Sequence, residues 1–263
     1  PKMAFTVHAV MPGVWHIVDC MGVCMTLLEG ENAAMLVDTG YGIEDVADFM
    51  RHMTDLPLTV FLTHNHHDHA MGARCFPETY MLEADMADWR MFTNDEMRRR
   101  VLTQAIGKNL PVDEKTFLAG EIPLPKVMKP GLIDLGGLTA EIIEAPGHTP
   151  GSAVVYVPER KLLLSGDDWN PCTWLFFPQA LGLREYRSNM RGIQQLPFEK
   201  VLCPHREALY DRWMFDDFFN ALTDGNLRAA EPVNIAPYEQ IDTCQATLPH
   251  DQVLVFDWAK SGL

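Results

Sequence analysis

The apolar positions of this chain come in short bursts, and their spacing changes from element to element. Residues 13–19, 24–28 and 33–37 are compact runs bounded by turn residues, which predicts three early strands, with Gly30-Glu31-Asn32 as the turn between the last two. Residues 43–53 carry apolar side chains at helical spacing, and 58–62 is a buried-type strand that runs straight into Thr63-His64. From about 82 to 110 the pattern is helical and rich in Met, Trp and Phe. Strand patterns return at 132–135, 139–144, 152–157 and 161–164, followed by a helix at 184–195, a short strand at 201–202, a helix at 212–222 and a terminal strand at 253–256. Strands and helices alternate in two similar halves, and no Pro/Gly/Ser-rich linker divides them. The pattern predicts an α/β sandwich in one domain, 1–263, with a helical insertion at about 82–125.

Composition narrows the function. Hydrophobic residues make up 47% of the 263 positions, enough for a large core without disulfide staples. The net charge of −15 repels phosphate backbones and anionic lipid at long range, so neither nucleic acid nor a membrane is expected as a partner. The one dense basic run, Met97-Arg98-Arg99-Arg100, follows Asp95 and Glu96 and reads as the solvated face of a helix. Six scattered cysteines form no CxxC pair and suit buried thiols in a reducing compartment. With no leader-like N-terminus and no membrane-length apolar run, the expectation is a soluble cytoplasmic protein.

The chemistry lies in four places. Thr63-His64-Asn65-His66-His67-Asp68-His69 is the strongest: side chains two apart in an extended segment share one side, so His64 and His66 can converge on one cation, with Asp68 and His69 facing a second. Imidazole and carboxylate suit zinc, manganese or iron. Ala145-Pro146-Gly147-His148 holds a histidine on a tight Gly/Pro turn after a strand. Leu162-Leu163-Leu164-Ser165-Gly166-Asp167-Asp168 delivers a carboxylate at a strand end, and Val201-Leu202-Cys203-Pro204-His205 delivers a last histidine in the same way. Each of these three is weak alone.

In this order the four resemble the metallo-β-lactamase superfamily: His-x-His-x-Asp-His, then a Gly-His turn, Gly-Asp after a strand, and a final His after a strand. Leu36-Val37-Asp38-Thr39-Gly40 matches the early Asp motif, and Pro204 stands where Gly usually precedes the last His. The resemblance implies a four-layered αββα sandwich and a site for two divalent metal ions, zinc first, with iron or manganese as alternatives. It implies His64, His66 and His148 on the first metal, Asp68, His69 and His205 on the second, and Asp167 between them. His67 and Asp168 adjoin ligands but match no ligand position. Asp38 is either an orienting residue behind the ligands or an ordinary strand-end turn residue.

The implied reaction is hydrolysis. Two metals ~3.5–4 Å apart share a water and lower its pKa towards ~7, and Asp68 holds the resulting nucleophile in line. The expected substrate is a small carbonyl compound, an ester, lactone or thioester. The rival is a mononuclear-iron persulfide dioxygenase, whose iron ligands match His64, His66 and Asp167 or its neighbours. Flavodiiron-type proteins carry Glu where His66 stands. Trp169, Trp174, Phe176 and Phe177 follow Asp167 and are candidates for a pocket wall, with loop packing as the alternative for each. Trp89, Met91 or Phe92 would turn towards the site if the 82–110 segment covers its mouth; otherwise that segment packs on the sandwich or forms a homodimer interface.

Overall fold

Alternation along single strands separates the layers. All five residues of the strand Ala153–Val157 are buried, because both of its faces are covered. Ala153, Val155 and Val157 enter a core shared with Val14, Leu28, Met35 and Phe61 of a facing sheet. Val154 and Tyr156 enter a second core with the helices Leu183–Ile193 and Arg212–Ala221. The strand Ala34–Val37 divides the same way. Met35 and Val37 face the shared core, while Ala34 and Leu36 pack with Met50 of the helix Val46–Met53. Each fully buried aliphatic side chain contributes about 1.5–3 kcal/mol, so this two-sided patterning sets the register of both sheets.

The result, in a computed structural model that describes residues 5–263, is the four-layered αββα sandwich. One sheet has seven strands, running in chain order from Thr6–Met11 to Lys126–Val127; the other has six, with Tyr210–Asp211 and Gly131–Asp134 at its edges. A smaller third sheet of four strands is built around Gln252–Asp257, which pairs in parallel with Cys172–Leu175 and antiparallel with Thr243–Leu248. Cys172–Leu175 and Thr243–Leu248 lack a clean alternating signal, and the apolar pattern predicts neither.

The stretch 82–110 is not one helical segment. It breaks into a 3-10 turn at Glu83–Asp85 and helices at Trp89–Thr93 and Asp95–Gly107. Asn94 ends one helix and caps the next, its side chain accepting from the Met97 N–H. The basic run on that second helix is not wholly a solvated face either. Arg98 is buried, and donates to the carbonyls of Phe117, Ala119 and Gly120 and to Asp95, tying the helix to the following turn. Arg99 and Arg100 are exposed. Among the described residues no helix is long and apolar enough to cross a membrane, and all six cysteines are free.

Candidate metal centre

Four of the site segments leave the ends of strands in the two facing sheets, and backbone hydrogen bonds tie them to one another. Leu58–Phe61 leads to His64, Thr139–Glu144 to His148, Leu162–Leu164 to Asp167, and Lys200–Leu202 to His205. The Ala153 N–H donates to the Thr63 carbonyl, Ser165 N–H to Leu202, and Cys24 N–H to the carbonyl of Pro204, the proline before the last histidine. Two glycines are required by geometry. Gly166 turns the chain into Asp167 with φ +53°, and a Cβ on Gly147 would come within 2.5 Å of the Tyr186 ring.

All seven residues singled out in the sequence come together. Potential ligand atoms of His64, His66 and His148 lie within 4.8 Å of one another, as do those of Asp68, His69 and His205, and those of His64, His69 and Asp167. Asp167 is the centre. Its Oδ2 stands 3.9 Å from His64 Nε2, 3.4 Å from His69 Nε2 and 3.5 Å from His148 Nε2, and its Oδ1 is 3.0 Å from His205 Nε2. Asp68 Oδ2 lies 3.5 Å from His69 Nε2 and 3.7 Å from His205 Nε2.

The outer nitrogens decide what the inner ones can do. His69 Nδ1 faces Asp38 Oδ2 at 3.0 Å and carries a proton there; burial works against a charged ring, but Asp167, Asp68 and Asp38 outweigh it and raise this imidazole well above its usual range, so a cation at Nε2 would have to displace a second proton. The same Asp38 oxygen accepts from the Thr63 hydroxyl, which leaves the hydroxyl oxygen to accept from His64 Nδ1 at 3.0 Å. His148 Nδ1 donates to the Trp174 carbonyl at 2.6 Å. Three imidazoles therefore turn their Nε2 atoms inward, and those of His64 and His69 are buried with no hydrogen-bond partner. His66 is reversed, with Nδ1 inward, 2.9 Å from His148 Nε2, and Nε2 outward against the Gln179 amide at 3.0 Å.

Burial, the largest influence, pushes His64 and His66 well below the usual imidazole range and lowers His148 as well, so these rings are neutral. Burial also works against an ionised Asp167, but His205 and His69 outweigh it and hold this carboxyl well below its usual range. The same burial opposes ionisation of Asp68, and there His69, His67 and His205 prevail and hold the carboxyl at about 2. Burial opposes a charge on His205 as on His69, but Asp167 and Asp68 raise both rings, so cations would take the place of protons there. Neutral imidazoles at His64, His66 and His148 and ionised carboxylates at Asp68 and Asp167 are a donor set that fits divalent cations.

The neighbours of the site residues behave differently. His67 packs edge-on to Tyr41 at 5.6 Å and belongs to none of the three groups. Asp168 lies under the site. Burial above all, then the nearby Asp167 and Asp85 charges, push its carboxyl well above the usual range, and it accepts from the His148 N–H at 2.9 Å. Asp38, at φ 64°, accepts from Thr63 twice and from His69, so here it orients ligand-bearing side chains.

Trp89 and Trp169 do not reach the site: both are fully buried, Trp89 among Leu62, Met71 and Val101, and Trp169 among Leu163, Leu175 and Val201. Phe92 and Phe177 do, their rings 4.5 Å and 4.8 Å from that of His66. Phe176 is buried behind Phe177, and Trp174 contributes its carbonyl.

Two contributors escape a reading of the sequence. Asp85, in the 3-10 turn after Tyr80–Met81, accepts from Thr149 Oγ1 at 2.7 Å, Gly151 N at 2.6 Å and Asn65 N at 3.2 Å. It clasps the His64–His69 loop to the His148 loop. Gln179 backs His66, and no motif marks it. A lone acid in a segment that reads as helix gives no signal of this kind.

This geometry coincides with a match of residues 18–205 to the metallo-beta-lactamase superfamily. The chain belongs to that superfamily. It is 26% identical over 200 residues to a chicken (Gallus gallus) protein, acyl-coenzyme A thioesterase MBLAC2, covering 68% of this chain and 70% of the other. Among solved structures, a metallo-beta-lactamase from Pontibacter korlensis aligns over 84% of this chain and all of its own, at 17% identity and a TM-score of 0.60. A metallo-beta-lactamase family protein from Thermus thermophilus aligns over 84% of this chain and 82% of its own, at 20% identity and a TM-score of 0.58. At these identities the structural likeness concerns the fold.

Proposed function

We propose that this chain is a dinuclear metallohydrolase of a small carbonyl substrate, with thioesters ahead of esters and lactones. The observation that carries the reading is the pair of three-residue groups on either side of Asp167, with Nε2 of His64, His69 and His148 and Nδ1 of His66 turned inward. In this reading His64, His66 and His148 hold one divalent ion, Asp68, His69 and His205 hold the other, and Asp167 is shared; zinc is the first candidate. Bound there, the cations supply the Lewis acidity that makes water nucleophilic near neutral pH and polarises a carbonyl.

The chain's own residues do the rest. Asp68, ionised at any working pH, accepts a hydrogen bond from the attacking water and keeps its lone pair aimed at the carbonyl carbon. Asp38, Thr63 and the Trp174 carbonyl hold the rings of His69, His64 and His148 so that nothing in the cluster reorients during reaction. Phe92 and Phe177 exclude water on the His66 side. The water's oxygen joins the acyl carbon, the bond to sulfur or oxygen breaks, and the proton leaves with the thiol or alcohol. The thioesterase relative supports placing thioesters first.

The test is elemental analysis of the purified chain together with a substrate panel: an acyl-CoA thioester, an aryl ester, a lactone, a phosphodiester and RNA, each with zinc- and manganese-loaded protein. Two metals per chain with carbonyl turnover is the expected result. RNA or phosphodiester turnover well above the carbonyl compounds would overturn the substrate class. One iron per chain with oxygen consumption on a glutathione persulfide would overturn the hydrolase.

A further inference from the structure

Beside His66 a cleft of about 280 Å³ opens between the helix Asp95–Gly107 and the Phe177–Gln179 turn. Its lining mixes apolar side chains, Met91, Phe92, Met97 and Phe177, with the polar Asn94 and Glu96. It borders the centre: Phe92 and Phe177, which line it, also pack on the His66 ring, and Gln179 bonds that ring's outer nitrogen. Arg100 stands on its wall. Arg100 makes no ion pair or side-chain hydrogen bond among the described residues, although Glu96, also on the wall, is one helical turn away. Tyr238 lines the same cleft. On a chain of net charge −15 a free guanidinium there is a local exception. Sulfur and aromatic walls suit a flexible hydrocarbon arm better than a polar leaving group.

We propose that this cleft binds the acyl arm of the substrate, an apolar chain that ends in a carboxylate received by Arg100. The inference rests on the hydrolase reading for the word acyl, but the cleft is built by protein alone. The helix that carries Arg100 lies between the strands Tyr80–Met81 and Lys126–Val127, so in this reading that segment supplies selectivity and the sandwich supplies chemistry. A fork of N–H donors meets a carboxylate in two parallel hydrogen bonds, which a methyl terminus cannot replace.

Calorimetry with hexanamide and with adipamate, the same chain length ending in a carboxylate, tests the cleft directly on zinc-loaded and on chelator-treated protein. Adipamate should bind about tenfold more tightly than hexanamide in both preparations, the size of one charge-assisted contact. Arg100→Met should remove that preference, and Phe177→Ala should weaken both ligands together. No preference in the wild type, or a preference that survives Arg100→Met, overturns the proposal. The hexanoyl and adipyl aryl esters are then assayed in parallel. An Arg100-dependent preference in binding with neither ester hydrolysed keeps the cleft and sinks the hydrolase; turnover of both esters without that preference does the reverse.

Discussion

Replacing Asp85 should separate the clasp from the ligands it holds in place. Asp85 is 1% exposed and makes no contact with the ligand atoms themselves, yet its two oxygens join residues from both ligand loops. Asp85→Ala strands two buried backbone donors, the N–H groups of Gly151 and Asn65; Thr149 keeps Ser152 Oγ as an alternative partner at 3.0 Å. At roughly 1–3 kcal/mol for each unsatisfied buried group, the loss is about 2–6 kcal/mol. For a chain of this size that lowers the melting temperature by roughly 5–15 °C. The backbone approaches Asp85 so closely that a Cβ at Gly151 would lie 2.6 Å from its Cγ, so no neighbouring side chain can swing in to compensate.

A pH signature accompanies the loss. Burial, the largest influence, outweighs the three donors and pushes the Asp85 carboxyl up to about 6, against about 3.9 in an unfolded chain. A raised carboxyl favours folding when it is protonated. Its contribution is therefore full below about pH 4 and is lost as pH rises through 6, an interval worth about 3 kcal/mol. Asp85→Asn has no such titration, so the wild type should gain stability relative to Asp85→Asn as pH falls from 7 to 4. Thermal and urea unfolding of wild type, Asp85→Asn and Asp85→Ala on chelator-treated protein, at half-unit pH steps, measures both effects. A melting shift under 2 °C for Asp85→Ala, or a wild-type curve parallel to that of Asp85→Asn across the whole range, would refute the clasp.

Asp167→Ala should lose metal and activity far more than Asp168→Ala, because Asp167 faces four imidazoles while Asp168 faces a backbone N–H; equal metal loss by elemental analysis would remove Asp167 from its central place. His67→Ala should keep its full metal content, since the ring packs on Tyr41 outside all three groups, and a drop to half would draw it into the centre. Arg98→Met should cost about 2–5 kcal/mol by leaving the Phe117, Ala119 and Gly120 carbonyls without their donor, and a loss under 1 kcal/mol in urea would return Arg98 to the solvated face.

How far such a site can be seen in a sequence depends on the range of the interaction that makes each part. Strands such as 139–144 are legible because alternation is local, and the observed strand has the same bounds, Thr139–Glu144. The seven site residues are legible because each follows an apolar strand-forming run, directly or, for Asp68 and His69, in the short helix His67–Ala70 after it. The third sheet is not: Cys172–Leu175 becomes a strand by lying in parallel beside Gln252–Asp257, a pairing between segments about 80 residues apart. The 82–110 segment is helical over most of its length, as its pattern predicts, but its break near Asp85 is not legible, for a related reason. Its residues are helix formers, but Asp85 is needed by loops 20 and more residues away in each direction, and the chain breaks into a 3-10 turn to present it.

The same distinction separates what the histidines are from what makes them usable. Nothing about His64, His69 or His148 as residues fixes which nitrogen carries the proton. That is set by Thr63, Asp38 and the Trp174 carbonyl, of which the first is a chain neighbour and the others come from 31 and 26 residues away. A carboxylate behind one ring, a hydroxyl behind another and a bare carbonyl behind the third give the same outcome, three Nε2 atoms turned inward, through three chemistries. His66, extended just before the short helix His67–Ala70, reaches the cluster through its other nitrogen. Its outer Nε2 must then carry the proton once Nδ1 is committed inward, so the Gln179 amide should present its oxygen to that ring rather than its nitrogen. A motif of four letters therefore specifies the donors, and the folded backbone behind it specifies their protons.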